Sequence, residues 1–394
     1  MRLAVYTDYA YRGDGDGRIF AERAFATFVA GLAPFVDSLV VAGRLNPRPG
    51  RSHYELPPAV EFAALPHYES LTRPLGALRA ASRSLAAFWR LLDGVDAVWV
   101  LGPQGLALPF ALLAAWRRTK LTLGARQDLP RYVHRRWPGR RWIHLTAVAL
   151  DWAFRRLARR YPIVVVGPDL AHRYGDAPRL LASSVSLVRA DSIVSTNAAR
   201  GREYGSRLQA LTVGRLETEK NPLLLADVMR SLRRRDPRWR LLVCGEGPLR
   251  GAMRERLERL GLSEHVELLG YVPFDRGLLD LYRESHAFLH VSWTEGLPQV
   301  LLEAFAAGLP TVATAVGGVP ESVDGAALLV PAGDPEAAAA GMARIGRDPH
   351  VRARLVEAGV AHAREHTMEE ELARLAGFLT RRPRQIARKG LISG

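Results

Sequence analysis

Short apolar runs alternate with longer stretches of helical periodicity along this chain, and the alternation is played through twice. In the first half, runs at 3–7, 38–41, 60–65, 97–101, 121–124 and 163–166 predict buried strands, while 20–32, 75–92, 106–116 and 142–160 carry the 3.6-residue period of helices. The second half repeats the pattern with strands at 210–213, 240–244, 266–268, 288–291, 311–313 and 328–330, and helices at 223–235, 249–260, 278–283 and 300–307. A strand-helix alternation of this kind builds a parallel sheet covered by helices on both faces. The fold class is therefore α/β, as two doubly wound domains facing across a cleft. The sequence divides into residues 1–195 and 208–366, with the join near 190–207, where Gly201, Gly205 and Ser206 fall. Residues beyond 349 read as helices, with 367–394 as the final segment.

Two glutamates eight positions apart are the most informative local feature. Glu295-Gly296-Leu297 follows the apolar run at 287–291 and marks the carboxyl end of a strand. Pro298 suits a first helical position, where its missing N–H costs nothing, and the helix runs until Gly308-Leu309-Pro310. Glu303 then lies about 7 Å along that helix, at about 1.5 Å per residue. Ligands of open α/β sheets bind at this edge. Ionised carboxylates accept hydrogen bonds only, which suits a partner rich in hydroxyls.

A second cluster stands some eighty residues upstream. Gly214-Arg215-Leu216 ends a strand, and Lys220-Asn221-Pro222 is predicted to open a helix. Arg215 grips phosphate oxygens in a fork and Lys220 adds a compact charge, beside free N–H groups that already favour an anion.

With Gly245-Glu246-Gly247-Pro248, Gly270-Tyr271-Val272 and Gly317-Gly318-Val319-Pro320-Glu321 in order, residues from about 208 to 335 resemble the large retaining family of GT-B glycosyltransferases, that of sucrose synthases and bacterial mannosyltransferases. The resemblance implies the GT-B fold, two Rossmann-like domains facing across a cleft, and transfer of a hexose-type sugar from a UDP- or GDP-sugar to an acceptor hydroxyl. It implies that Arg215 and Lys220 hold the diphosphate, that Glu295 holds a sugar hydroxyl and that Glu303 accepts from the ribose. Gly214, Gly245, Tyr271, Val272, Gly296, Leu297 and Gln299 complete the donor side, with backbone N–H groups at 297 and 299 and the base beside 270–272. The cations make a divalent metal unnecessary, and no cofactor is implied. The acceptor is open between a lipid-linked molecule and a cell-envelope glycan. In relatives the last helices cross back to the first domain.

Composition narrows the field. At 394 residues, 48% of them apolar, the chain exceeds one ordinary core. The opening residues lack the long apolar core of a signal peptide, and a single cysteine, Cys244, excludes a disulfide framework. A cytoplasmic location follows, with a peripheral place on the inner face of the cell membrane left open. The uncharged stretch 97–116 is broken by Gly102-Pro103-Gln104-Gly105 and reads as strand, turn and helix, not a membrane span.

The net charge of +15 is uneven. Residues 1–200 hold 28 Lys and Arg against 15 Asp and Glu, whereas 201–394 hold 27 against 25. Within 117–160, 13 basic residues face only Asp128 and Asp151. An anionic membrane surface is the partner this stretch suggests, through Trp137, Trp142 and the arginines; the alternative is that Ile143, Ala147, Leu150, Phe154 and Leu157 simply form one core-facing stripe. Nucleic acid is not expected, because no recognition motif accompanies the charge.

Gly13, Gly15 and Gly17 follow the first strand and precede the predicted helix, a turn where Gly17 lets backbone approach the donor; a plain loop is the other reading. Arg126-Gln127-Asp128 follows a strand where many relatives carry a His-Asp pair, with Gln127 at the His position. Arg126, Gln127 and Asp128 are candidates for acceptor or sugar contact, and Arg126 and Asp128 are alternatively a structural pair. Rival functions are a catalytically silent nucleotide-binding GT-B protein and a GT-B epimerase or phosphorylase. A glycoside hydrolase would leave Arg215 and Lys220 unexplained.

Overall fold

The computed structural model describes residues 1–68, 74–136, 139–296 and 298–381. Trp137, Leu297 and the basic tail lie outside them. The described residues form two sheets. The first runs, in spatial order, through Val60–Leu65, Ser38–Asn46, Arg2–Gly13, Ala97–Gly102, Lys120–Ala125, Ile163–Val166 and Leu180–Ser183, all parallel. The second runs Val266–Gly270, Trp239–Cys244, Leu208–Val213, Ala287–His290, Thr311–Thr314 and Ala327–Val330, again all parallel. Helices cover both faces, so the central strands bury both sides. Every residue of Ala287–His290 and Thr311–Thr314 is buried. Strand order reverses beside Arg2–Gly13 in one sheet and beside Leu208–Val213 in the other, opening a crevice at the carboxyl ends of each.

The glycine-rich start departs from the sequence expectation. Arg2–Gly13 continues for 12 residues and folds back antiparallel into Ile19–Ala21, with Gly13 opposite Ile19. Tyr54–Glu55 adds a further short strand against Phe20 and Ala21. The helix is confined to Phe25–Ala30. Local hydrogen bonding explains the difference: Asp14 Oδ1 accepts from the N–H of Asp16 at 3.0 Å and of Arg18 at 3.3 Å, and Gly15 and Gly17 supply φ of +91° and +86°. Gly17 is therefore a hairpin-turn residue and does not stand at a helix start. Helix Leu129–Arg136 was also not anticipated; Asp128 begins it, accepting from the N–H of Arg131 at 3.0 Å.

Helix Thr196–Arg200 packs Ala199 against Val356 and Val360 of the second half. The last described helix, Met368–Thr380, buries Leu372, Leu375 and Leu379 with Leu3, Phe28 and Leu32 of the first half. Its Glu371, wholly buried, accepts from Ser183 Oγ at 3.0 Å and Ser184 N–H at 3.1 Å.

Candidate functional site

Backbone contact shapes the second-domain crevice. Gly214 N–H donates to Cys244 at 2.9 Å, and Gly245 N–H to Gly270 at 2.7 Å, lacing three strand ends together. A Cβ at Gly245 would stand 1.8 Å from the Gly214 carbonyl oxygen, and one at Gly247 2.4 Å from that of Leu216. The other wall is built alike, since a Cβ at Gly317 would lie 1.9 Å from the Glu295 oxygen and one at Gly318 2.4 Å from that of Gly296. These glycines let loops touch where any side chain would part them.

Between the walls, Lys220 Nζ bonds Glu295 Oε1 at 2.6 Å. Ser292 Oγ donates to the same oxygen at 2.6 Å, and His290 Nε2 stands 3.1 Å away, off the line of a well-formed hydrogen bond. The Glu295 side chain is only 7% exposed. Burial alone would raise its pKa, but the charge of Lys220 and the proximity of His290 outweigh burial and hold the carboxyl well below its ordinary range. Glu295 is a fixed carboxylate. Lys220 closes the single 3-10 turn Thr218–Lys220, and the helix proper begins only at Leu224, so neither cation stands at its first turn. Arg215, 43% exposed, pairs with Glu217 and with Glu219, the latter at 3.1 Å. Trp293 N–H donates to the Glu219 carbonyl at 2.9 Å and ties the two loops. Gly214, Arg215, Lys220, His290 and Ser292 line one cavity.

Glu303 does not face that cavity. It lies in helix Gln299–Ala306, is 7% exposed, and accepts from Tyr282 Oη at 2.8 Å, in a separate recess with Val188, Phe274 and Leu279. Burial pushes its pKa up to about 7 despite that bond. Pro298 caps this helix from outside, with ψ of 116°, so Gln299 is the first helical residue and presents one of the free N–H groups.

The first domain approaches along its carboxyl edge. Pro168 lies so near that a Cβ at Gly318 would stand 3.1 Å from its Cδ. His53 stacks on Tyr271, centroids 4.1 Å apart, and Tyr54 Oη is 3.0 Å from Tyr271 Oη. Tyr271 is 40% exposed; Val272 is partly buried behind it.

On that edge, Gln127 Nε2 donates to Gln104 Oε1 at 3.0 Å. Asp128 and Arg126 are not a pair: Asp128 meets Arg173 at 3.3 Å and Arg131 at 3.6 Å, whereas Arg126 bonds Tyr9 Oη and lies 3.5 Å over the Phe25 ring. Sequence reasoning missed Asp8, which ends the regular part of the first strand. Its Oδ1 accepts from Tyr68 at 2.6 Å and Tyr6 at 3.2 Å beside Arg44 at 3.3 Å, and burial raises its pKa although Arg44 opposes this. It also missed His290, Ser292 and Tyr282. A histidine and a serine inside an otherwise apolar strand run were the available signal.

Helix Arg141–Ala158 buries Ala147 and Phe154, and partly Ile143, Leu150 and Leu157, on one side. A second stripe, Trp142, Leu145, Val148 and Trp152, is 53–70% exposed, and Trp116 of helix Ala107–Trp116 is 74% exposed. Among the described residues no helix is long and apolar enough to cross a membrane.

Comparison with known proteins agrees with this architecture. The model of the family glycosyl transferases group 1 matches residues 195–362. The gpi3 subunit of the phosphatidylinositol N-acetylglucosaminyltransferase of Schizosaccharomyces pombe is 35% identical over 114 residues, covering 29% of this chain and 25% of that protein. The D-inositol 3-phosphate glycosyltransferase of Corynebacterium glutamicum is 31% identical over 226 residues, 53% of this chain and 54% of that one. The chain thus spans about half the length, or less, of these relatives. Among solved structures, sucrose-phosphate synthase from Thermosynechococcus elongatus superposes with a TM-score of 0.71 at 16% identity, over 96% of this chain and 98% of that chain. HepE of Anabaena, in complex with UDP and glucose, gives 0.70 at 16% identity, over 96% and 99%. Residues 195–362 of the chain are thus similar to the glycosyl transferases group 1 family, and the chain as a whole is built on the two-domain GT-B fold.

Proposed function

We propose that the chain is a retaining glycosyltransferase that moves a hexose-type sugar from a nucleotide diphosphate sugar to an acceptor hydroxyl. The observation that carries this reading is the buried Lys220–Glu295 pair at the switch point of the second sheet, with Arg215 beside it. An ammonium has three protons, so Lys220 can keep Glu295 and still face a phosphate oxygen. Arg215 is held only by partly exposed pairs, which contribute little, and a diphosphate can take it over. The two cations then stabilise charge growing on the leaving diphosphate, with no divalent metal in the reading. Glu295, kept ionised, accepts from a sugar hydroxyl and turns the anomeric carbon to the acceptor. Attack comes from the face of the departing phosphate, which takes the acceptor's proton.

Glu303 is assigned to the ribose, Tyr271 and Val272 to the base, and Gly214, Gly245, Gly296, Leu297 and Gln299 to close backbone approach. Gly17, at the hairpin turn, has open space about it, and a side chain there would meet nothing within 4 Å. Arg126 and Gln127 are placed on the acceptor side. The exposed stripe of Trp142, Leu145, Val148 and Trp152, with exposed Arg140, Arg141 and Arg156, supports contact with an anionic membrane and a lipid-linked acceptor. Such a membrane would place the chain at the periphery of the inner face of the cell membrane.

Hydrolysis of radiolabelled UDP- and GDP-sugars without acceptor, beside thermal shifts with the free nucleotides, tests the proposal. Slow release of sugar from one donor, lowered more than about tenfold by Glu295→Gln or about 1.4 kcal/mol of barrier, is the expected result. Tight nucleotide binding with no turnover of any donor would favour the silent binding protein instead. Absence of both would end the reading.

A further inference from the structure

Among the described residues, Arg126 is a guanidinium without a counter-ion. Its Nη1 donates to Tyr9 Oη, its plane lies 3.5 Å from the Phe25 centroid, and its Nε is shut off from solvent with no hydrogen-bond partner. Among the described residues no carboxylate pairs with it. The acids beside Arg126, Tyr9 and Arg23 in sequence are committed elsewhere: Asp128 to Arg173 and Arg131, Asp8 to Arg44, Tyr68 and Tyr6, Glu22 to Arg12 at 3.7 Å. Burying a charge without a partner is costly, and an aromatic face returns only a small part of that cost. A second cation makes matters worse. Arg23 is exposed and unpaired among the described residues, and burial together with its charge lowers the pKa of Arg126, although Tyr9 opposes this.

The position explains why such a residue is kept. Arg126 directly follows Ala125, which is paired with Val165 in the neighbouring strand. Three residues beyond Val165 is Pro168, which lies against Gly318, itself packed on the Gly296 carbonyl beside Glu295. Arg126 therefore stands on the edge of the first domain that faces the sugar end of the donor site.

We infer that Arg126, assisted by Arg23, binds an anionic group carried by the acceptor, a phosphate ester whose free hydroxyl receives the sugar. This rests on the transfer reading given above and specifies its acceptor class. A phosphate presents several oxygens to the planar fork of one arginine and the mobile charge of another, and supplies the negative charge that Arg126 lacks among the described residues.

Titration calorimetry on the full chain saturated with UDP tests it, with glycerol 3-phosphate, glucose 6-phosphate and myo-inositol 1-phosphate set against glycerol, glucose and myo-inositol. At least one phosphorylated probe should bind more than about tenfold tighter than its neutral counterpart. Arg126→Gln should abolish that preference, Arg126→Lys should restore part of it, and UDP affinity should stay within about twofold. Vesicles of phosphatidic acid against phosphatidylcholine form the second arm: binding there that Arg126→Gln removes, without binding of the soluble probes, assigns the phosphate to a lipid headgroup. The inference is overturned if neither arm responds to Arg126→Gln, if the preference survives the substitution, or if UDP binding falls in parallel, which would give Arg126 to the donor. A loss of melting temperature with unchanged binding overturns it equally, since Arg126 would then only pack. Donor hydrolysis is read on the same samples; its absence counts against transfer and leaves the phosphate result to be judged separately.

Discussion

Lys220→Met removes the cation from a carboxylate that has little access to water. Breaking a buried ion pair by deleting one partner costs about 3–5 kcal/mol. Two features reduce that here: Lys220 is 24% exposed, and Glu295 keeps the bond from Ser292 at 2.6 Å. A loss of about 2–3 kcal/mol is therefore expected at pH 7. Glu295→Gln leaves the ammonium on the wetter side of the pair and should cost about 1–2 kcal/mol, and the double variant less than the sum of the two. The pH dependence follows from the sign of the shift. A carboxyl whose folded pKa is depressed contributes stability that is present above its unfolded pKa and lost as pH falls through the folded value, here far into acid. Without Lys220, burial dominates and the pKa of Glu295 rises. The deficit of Lys220→Met against the wild type should then be greatest near pH 7 and shrink toward pH 4.5, where Glu295 of the variant takes up a proton. Urea unfolding of the four proteins at pH 7, 5.5 and 4.5 measures this. Additive single costs, or a deficit that does not change with pH, would refute the claim that Lys220 holds Glu295 ionised.

Four further outcomes are expected. Gly245→Ala puts a methyl 1.8 Å from the Gly214 oxygen at φ +151°, so thermal unfolding should show a loss of several kcal/mol, on the order of the larger point-mutant effects, together with lost nucleotide binding. Glu303, with its pKa raised to about 7, favours folding most below its unfolded value and loses that contribution as pH rises through about 7; if its ionised form binds ribose, nucleotide affinity should rise over the same range, and Glu303→Gln should flatten the calorimetric profile. Trp142→Glu with Trp152→Glu places charges on the exposed stripe; flotation with anionic vesicles should fall, with donor hydrolysis unchanged, and retained flotation would remove the helix from the membrane reading. Donor hydrolysis in EDTA should match that in magnesium, since Arg215 and Lys220 are assigned the diphosphate charge; a requirement for the ion would overturn that assignment.

Much of the architecture was legible in the chain because periodicity and burial are local properties. Runs such as 97–101 and 163–166 are apolar throughout, which a strand covered on both faces requires, and the structure has strands at Ala97–Gly102 and Ile163–Val166. The glycines at 245, 317 and 318 stood out as motif residues, although only the fold shows why no side chain fits there: the backbone of a neighbouring loop touches each of them. Where local hydrogen bonding competes with periodicity, pattern reading fails. Asp14 turned the predicted helix entry at Gly17 into a hairpin, and Asp128 started a helix that no apolar period announced.

Charge partnership lay beyond the sequence altogether, because it depends on residues far apart along the chain. Lys220 and Glu295, 75 positions apart, meet only because their strands are neighbours at the switch point. Arg126 and Asp128, two positions apart, do not meet, since Asp128 is drawn to Arg173 while Arg126 lies over Phe25. Residue types and their order determined the fold and which side chains are candidates for its chemistry. The tertiary structure alone decided which charges neutralise one another and which are left to a ligand, because Coulomb energy and desolvation depend on distance in space.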